Sequence, residues 1–120
     1  VWGDGSPVRD FIHARDVARG MMFALENGIG EPINLGSGTG TRISEIVDVI
    51  VKNIHPTPEV VWDTSKSSGD SCRIMDMTRA TSYGFKPEIS IEAGISETIS
   101  WYKRHKSAVD SRYNPFLHRN

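Results

Sequence analysis

Residues 1–28 read VWGDGSPVRDFIHARDVARGMMFALENG. Gly3, Gly5 and Pro7 form a turn, Arg9 follows it, and residues 10–13 read as a short strand that runs directly into a helix. Asp16 is the expected N-cap, because its carboxylate can accept from free first-turn amides at the positive end of the helix dipole. Val17, Met21, Ala24 and Leu25 fall on one helical face, and Asn27-Gly28 is a plausible left-handed stop.

The same order, strand then helix, continues down the chain. PINLGSG reads as a second short strand ended by glycines. TRISEIVDVIVKNIHP is an amphipathic helix, with Ile43, Ile46, Val47, Ile50 and Ile54 on one side, Thr41 as cap and Pro56 barring continuation. PEVVWDTS is a third strand, and SKSSGDS a polar loop. MDMTRATSYGF reads as a short helix ended by Gly84. In the last helix Ser90 is the cap, Glu92 suits the first turn, and Lys103, Arg104 and Lys106 suit the last. Its stripe is Ile91, Ile95, Thr98, Ile99 and Tyr102. Strands alternating with helices predict an α/β fold with parallel pairing. Three strands are few for a parallel sheet covered on both faces, so a larger fold of which this is a part is expected. A first residue that is not methionine, in the middle of a loop, points the same way.

The 120 residues carry a formal net charge of -1, 24% charged residues and 38% apolar ones, the composition of an ordinary globular domain. That balance argues against nucleic acid or an anionic membrane as partner. Cys72 is the one cysteine, which excludes an internal disulfide and suits a reduced, cytoplasmic setting. No apolar run reaches the length of a membrane helix.

Three places can meet an anionic ligand. Arg9, aimed by the turn before it, can bind phosphate oxygens through a bidentate fork; a solvated or ion-paired arginine fits the same position. Residues 34–44, NLGSGTGTRIS, join glycines to a helix start as a phosphate loop does. The spacing is G-x-G-x-G without the Walker lysine, and a tight connecting turn explains it equally. Lys66, in the loop after the third strand, can reach a phosphate as a point charge or lie in solvent. Trp2 shares a loop with Arg9 and can stack on a base or sugar. His13, His55, His105 and His118 have no metal-ligand spacing, and His13 reads as structural. Cys72 has no histidine near it in sequence.

Taken together, the segments resemble one family. VWGDGSPVRDFIHARDVARG is similar to the loop, strand and helix in the C-terminal half of the extended short-chain dehydrogenase/reductases that act on nucleotide sugars as epimerases and reductases. INLGSGTGTRISEIVDVI resembles the next strand and helix, and DMTRATSYGFKPEISIEAGISETISWY the closing segment. Order and spacing agree over residues 1–106, with residues 107–120 as a tail. VWG-x-G-x-P-x-R with DTSK-x-x-G most resembles the members that epimerise and reduce a GDP-4-keto-6-deoxymannose with NADPH.

The resemblance implies a partial Rossmann-like fold, the C-terminal substrate-binding portion. It implies that Arg9 contacts the diphosphate of the nucleotide sugar, that Trp2 lines the nucleotide pocket and that Lys66 faces the nucleotide. A GDP-sugar is favoured and a UDP-sugar is possible. Some residues depart from the pattern. Asp10 stands where some members have glutamate, Arg15 where an acidic residue is common, and Cys72 where an arginine is expected, with Arg73 next to it as a candidate substitute. The family's Gly-rich cofactor turn and its Tyr-x-x-x-Lys pair are absent from these residues. Tyr102 and Lys106 have that spacing but lie in the closing helix, on its apolar stripe. NADP or NAD is therefore expected to be bound mainly by an N-terminal part, with no catalytic residue here and this segment alone inactive. A UDP-sugar 4-epimerase and a non-catalytic nucleotide-sugar binding module are the alternatives. Unpaired apolar edges predict a homodimer or other self-association.

Overall fold

The computed structural model describes residues 1–109 of the chain, with side chains described to residue 106. A three-stranded sheet lies at its centre, in the order β2-β1-β3. Its middle strand, β1 (Val8–Asp10), pairs antiparallel with β2 (Gly40–Arg42) and parallel with β3 (Cys72–Arg73). The described residues form four helices: α1 (Ala14–Glu26), α2 (Ile43–Lys52), α3 (Thr78–Ser82) and α4 (Ile91–Val109). The α/β class holds, but the sheet is mixed and its strands lie elsewhere than the apolar patterning places them.

The PINLGSG segment carries no ladder. A strand needs a neighbour to receive its amides and carbonyls; residues 75–77 lie against this segment but meet it through side chains, with Asn34 Nδ2 donating to the Asp76 carbonyl at 3.0 Å and the Gly36 amide to Met77 Sδ. The PEVVWDTS segment makes one isolated parallel bridge, Trp2 with Asp63. Pairing falls instead on residues flanking the glycine turn and the polar loop, which the turns bring against β1.

Two helix starts also differ from expectation. α1 begins two residues before Asp16, with His13 as N-cap, its Nδ1 accepting from the Arg15 amide at 3.2 Å. Asp16 lies inside the first turn and is fully buried. Its carboxylate accepts from the amides of Glu88 at 3.1 Å and Ile89 at 2.9 Å and pairs with Arg19. Asp16 therefore fastens α1 to the segment leading into α4, and its place in the first turn also suits the helix dipole. At α2 the N-cap is Arg42, whose amide is received by Glu45 Oε2 at 2.7 Å. Thr41 is held in β2 opposite Arg9. The expected cap of α4 is present, as the Ser90 hydroxyl accepts from the Ala93 amide. Gly84, with φ +99°, ends α3 as its sequence implies. α4 runs three residues past Lys106, and residues 110–120 of the expected tail lie outside the described residues.

Burial is thin. Among the described residues only Ala80 and Phe85 are apolar and buried. α1 packs through Gly20 and Phe23, whose ring centroid lies 5.9 Å from that of Phe85. Met21 and Leu25, expected on its core face, are exposed at 64% and 75%. α2 and α4 pack on each other. Between them and residues 11–13 lies a cavity of about 340 Å³ lined by Ile46, Ile50, Ile91, Ile95 and Ile99. No helix among the described residues is long and apolar enough to cross a membrane.

Candidate functional site

Two loops clasp each other at one end of the sheet. The first, residues 1–7, has Gly3, Gly5 and Pro7 buried. The second, residues 62–70, runs beside it. The Asp63 carbonyl receives the Gly3 amide at 2.9 Å and the Lys66 amide at 3.2 Å, so the backbones around Trp2 and Lys66 converge on one oxygen. Asp4 Oδ1 accepts from the Ser6 amide, the Ser6 hydroxyl and the Ser68 hydroxyl. The Ser6 amide and hydroxyl bonds, with a smaller one from Ser68, hold the Asp4 carboxyl below its ordinary value. Asp63 Oδ1 is likewise engaged by Ser65.

Arg9 emerges from β1 next to this clasp. Its Nη1 donates to the Val8 carbonyl at 2.8 Å, and a Cβ placed on Gly69 would lie 3.5 Å from its Nη2. The guanidinium is half-buried, and among the described residues no carboxylate comes within ion-pair distance of it. Trp2 is 64% exposed and Lys66 is exposed. Arg9 thus stands beside the loop that carries Lys66, and that loop is bonded to the strand that carries Trp2. A half-buried guanidinium, with an exposed indole and an exposed lysine on the two adjoining loops, has the chemistry to meet an anionic, ring-bearing ligand.

The glycine turn of residues 36–40 behaves differently. Two of its amides are taken by an internal anion. Asp10 Oδ1 accepts from the Ser37 amide at 2.7 Å and the Ser37 hydroxyl at 2.6 Å, and Oδ2 from the Gly38 amide at 3.0 Å and the Met75 amide at 3.2 Å. Burial pushes the Asp10 carboxyl up, but these bonds outweigh it and hold the group below its ordinary value. The Gly36 amide donates to Met77 Sδ and the Thr39 amide to Ser37 Oγ, so the amides of residues 36–39 are engaged within the protein and the turn acts as a structural joint. Sequence reasoning saw the glycines but missed Asp10. The signal was present, as a carboxylate ends the strand that a Gly-Ser-Gly turn must approach. His13 is a helix cap, as its structural reading implied, and no group of histidine, cysteine and acidic residues among the described residues could hold a metal.

This mixed α/β unit is similar to parts of extended short-chain dehydrogenase/reductases of the Rossmann kind. It superposes on a UDP-glucose 4-epimerase from Thermotoga maritima solved with UDP-glucose, at 30% identity and a TM-score of 0.77, covering 88% of this chain and 35% of that one. A GDP-L-fucose synthetase from Naegleria fowleri bound to NADP gives 25% identity and a TM-score of 0.79, with 89% and 35% covered. In sequence, GDP-L-fucose synthase 1 of Arabidopsis thaliana is 34% identical over 106 residues, which are 88% of this chain and 33% of the relative. Residues 1–36 match the model of the NAD dependent epimerase/dehydratase family. The chain is thus similar to part of that family's members, and it spans about a third of the length of the curated relatives it matches.

Proposed function

We propose that residues 1–106 form the nucleotide-sugar-binding part of an NAD(P)-dependent epimerase/reductase of the GDP-L-fucose synthase kind, which epimerises and reduces a GDP-4-keto-6-deoxymannose. Arg9 holds the diphosphate, Lys66 approaches it from the facing loop, and Trp2 packs near the nucleoside. The observation that carries this reading is the half-buried guanidinium of Arg9, which has no carboxylate partner among the described residues. A half-buried guanidinium without a counter-ion has N–H groups left to donate to an anionic ligand. The names of the relatives support a nucleotide sugar as that ligand. The fold likeness to a UDP-glucose 4-epimerase supports a second reading, a UDP-sugar substrate epimerised without net redox change.

The residues described do not fit a dinucleotide cofactor. In the one glycine-rich turn leading to a helix among the described residues, the Ser37 and Gly38 amides are engaged by Asp10, and Tyr102 and Lys106 lie on an exposed stretch of α4. No hydride or proton step is derived from them. On this reading the cofactor, NADP or NAD, is held by another part of the enzyme, and this segment alone is inactive.

The test is a calorimetric titration of the full-length enzyme with GDP and with UDP. A charge-assisted bond is worth about 1.5–3 kcal/mol, so Arg9→Ala weakens binding of the preferred nucleotide about ten- to a hundredfold. Arg9→Lys recovers part of the loss, since an ammonium lacks the planar fork. Affinity for NADPH stays at the wild-type value. Equal nucleotide affinity in wild type and Arg9→Ala would reduce Arg9 to a surface charge.

A further inference from the structure

The register of the sheet puts a second arginine beside the first. β1 and β3 run parallel with Arg9 opposite Arg73 and Val8 opposite Cys72. Paired residues share a face of the sheet, and neighbours along a strand alternate. One face therefore carries the row Thr41, Arg9 and Arg73, while Arg42, Val8 and Cys72 take the other. Arg73 thus cannot stand in for an arginine at position 72, because a shift of one residue reverses the face. Its side chain leaves the sheet on the same face as that of Arg9. Like charges directly opposite on adjacent strands, about 4.8 Å apart, are unfavourable.

Asp70 relieves this in part, pairing with Arg73 Nη2 at 2.6 Å. Both side chains are well exposed, 62% for Asp70 and 76% for Arg73. Such a pair is weak and easily exchanged for a better anion. Asp70 also follows Gly69, the residue against which the Arg9 guanidinium rests. The other carboxylates of the two loops, Asp4 and Asp63, are engaged by serines.

We infer that Arg73 is a second guanidinium for the diphosphate, and that Asp70 occupies it in the free protein and is displaced when the nucleotide binds. This rests on the reading of Arg9 given above and extends it: the diphosphate lies across the Arg9–Arg73 row, and a carboxylate two residues before β3 sets how readily it enters. Asp70 and the diphosphate compete for the same planar fork, so removing the carboxylate favours the ligand.

Titration of the full-length protein with GDP and, separately, with guanosine decides the matter. Arg73→Ala lowers GDP affinity about tenfold and leaves guanosine affinity unchanged, with partial recovery in Arg73→Lys. Asp70→Asn raises GDP affinity severalfold, and in the Arg73→Ala background the same change has no effect. Wild-type GDP affinity in Arg73→Ala, together with a loss in Arg9→Ala, overturns the role of Arg73 and leaves the function standing. No loss in either variant overturns both. An Asp70→Asn protein that binds GDP as wild type does removes the competing carboxylate. An equal loss for guanosine and GDP in Arg73→Ala marks a structural role and also overturns the inference.

Discussion

Asp10 and Arg9 are consecutive residues with opposite tasks, and alternation along β1 separates them. Arg9 faces the clasp of the two loops, while Asp10 turns to the glycine joint and receives four hydrogen bonds. Asp10→Asn sets an amide nitrogen against donors, and each donor left without an acceptor costs about 1–3 kcal/mol. Hydrogen exchange at the Ser37 and Gly38 amides is expected to quicken markedly in that variant at neutral pH, and wild-type protection there would contradict the joint. The pH dependence follows from the lowered value of Asp10. A carboxyl whose folded value lies below its unfolded value, about 3.9, stabilises the fold above that pH and loses the contribution as pH falls through the folded value. The wild-type protein therefore loosens at this joint in acid below about pH 4, and Asp10→Asn removes that acid dependence. At this scale the sequence was legible where local chemistry decides, as with Ser90 at its cap or Gly84 at its stop. It was not legible for Asp16, because the amides it serves lie more than seventy residues away in sequence.

Among the elements, helices were readable and strands were not. Each of the four helices described overlaps the segment that period and breakers mark out, since helical bonds close within a few residues, although the caps of α1 and α2 differ from those expected. A strand is specified by its neighbour, so the apolar PINLGSG segment looked like one and has no ladder, while the polar CR of β3 pairs with β1. The loop of residues 1–7 is the element on which the site depends, and Gly5 is a closely packed point within it. Its φ is +79°, and a Cβ there would lie 2.6 Å from Trp62 Cη2 and 3.0 Å from Ser44 Cβ. Gly5→Ala combines a left-handed penalty of about 1–2 kcal/mol with overpacking of about 1–3 kcal/mol. The full-length protein is expected to lose several degrees of Tm and to bind GDP more weakly, since the loop that aims Arg9 is displaced. A variant with wild-type Tm would show that the loop yields freely and does not aim Arg9.

For the whole molecule, the deciding fact is how little apolar surface is buried. Ala80 and Phe85 alone are buried among the apolar residues described, and Met21, Met22, Leu25, Val61 and Trp101 are exposed. Apolar surface on this scale marks an interaction face. The 120-residue chain produced alone is expected to self-associate or to unfold with a low midpoint, and a compact, stable monomer in sedimentation would contradict this. The fold class was legible from the alternation of strand and helix signals, but the mixed pairing was not, because it depends on which turns meet. The central claim concerns where the diphosphate lies, and a crystal structure of the full-length protein with GDP tests it most directly. The account predicts phosphate oxygens within about 3 Å of the Arg9 guanidinium, on the face shared with Thr41 and Arg73, with the base towards Trp2. A diphosphate seated on the amides of residues 36–40, or away from Arg9 altogether, would contradict it.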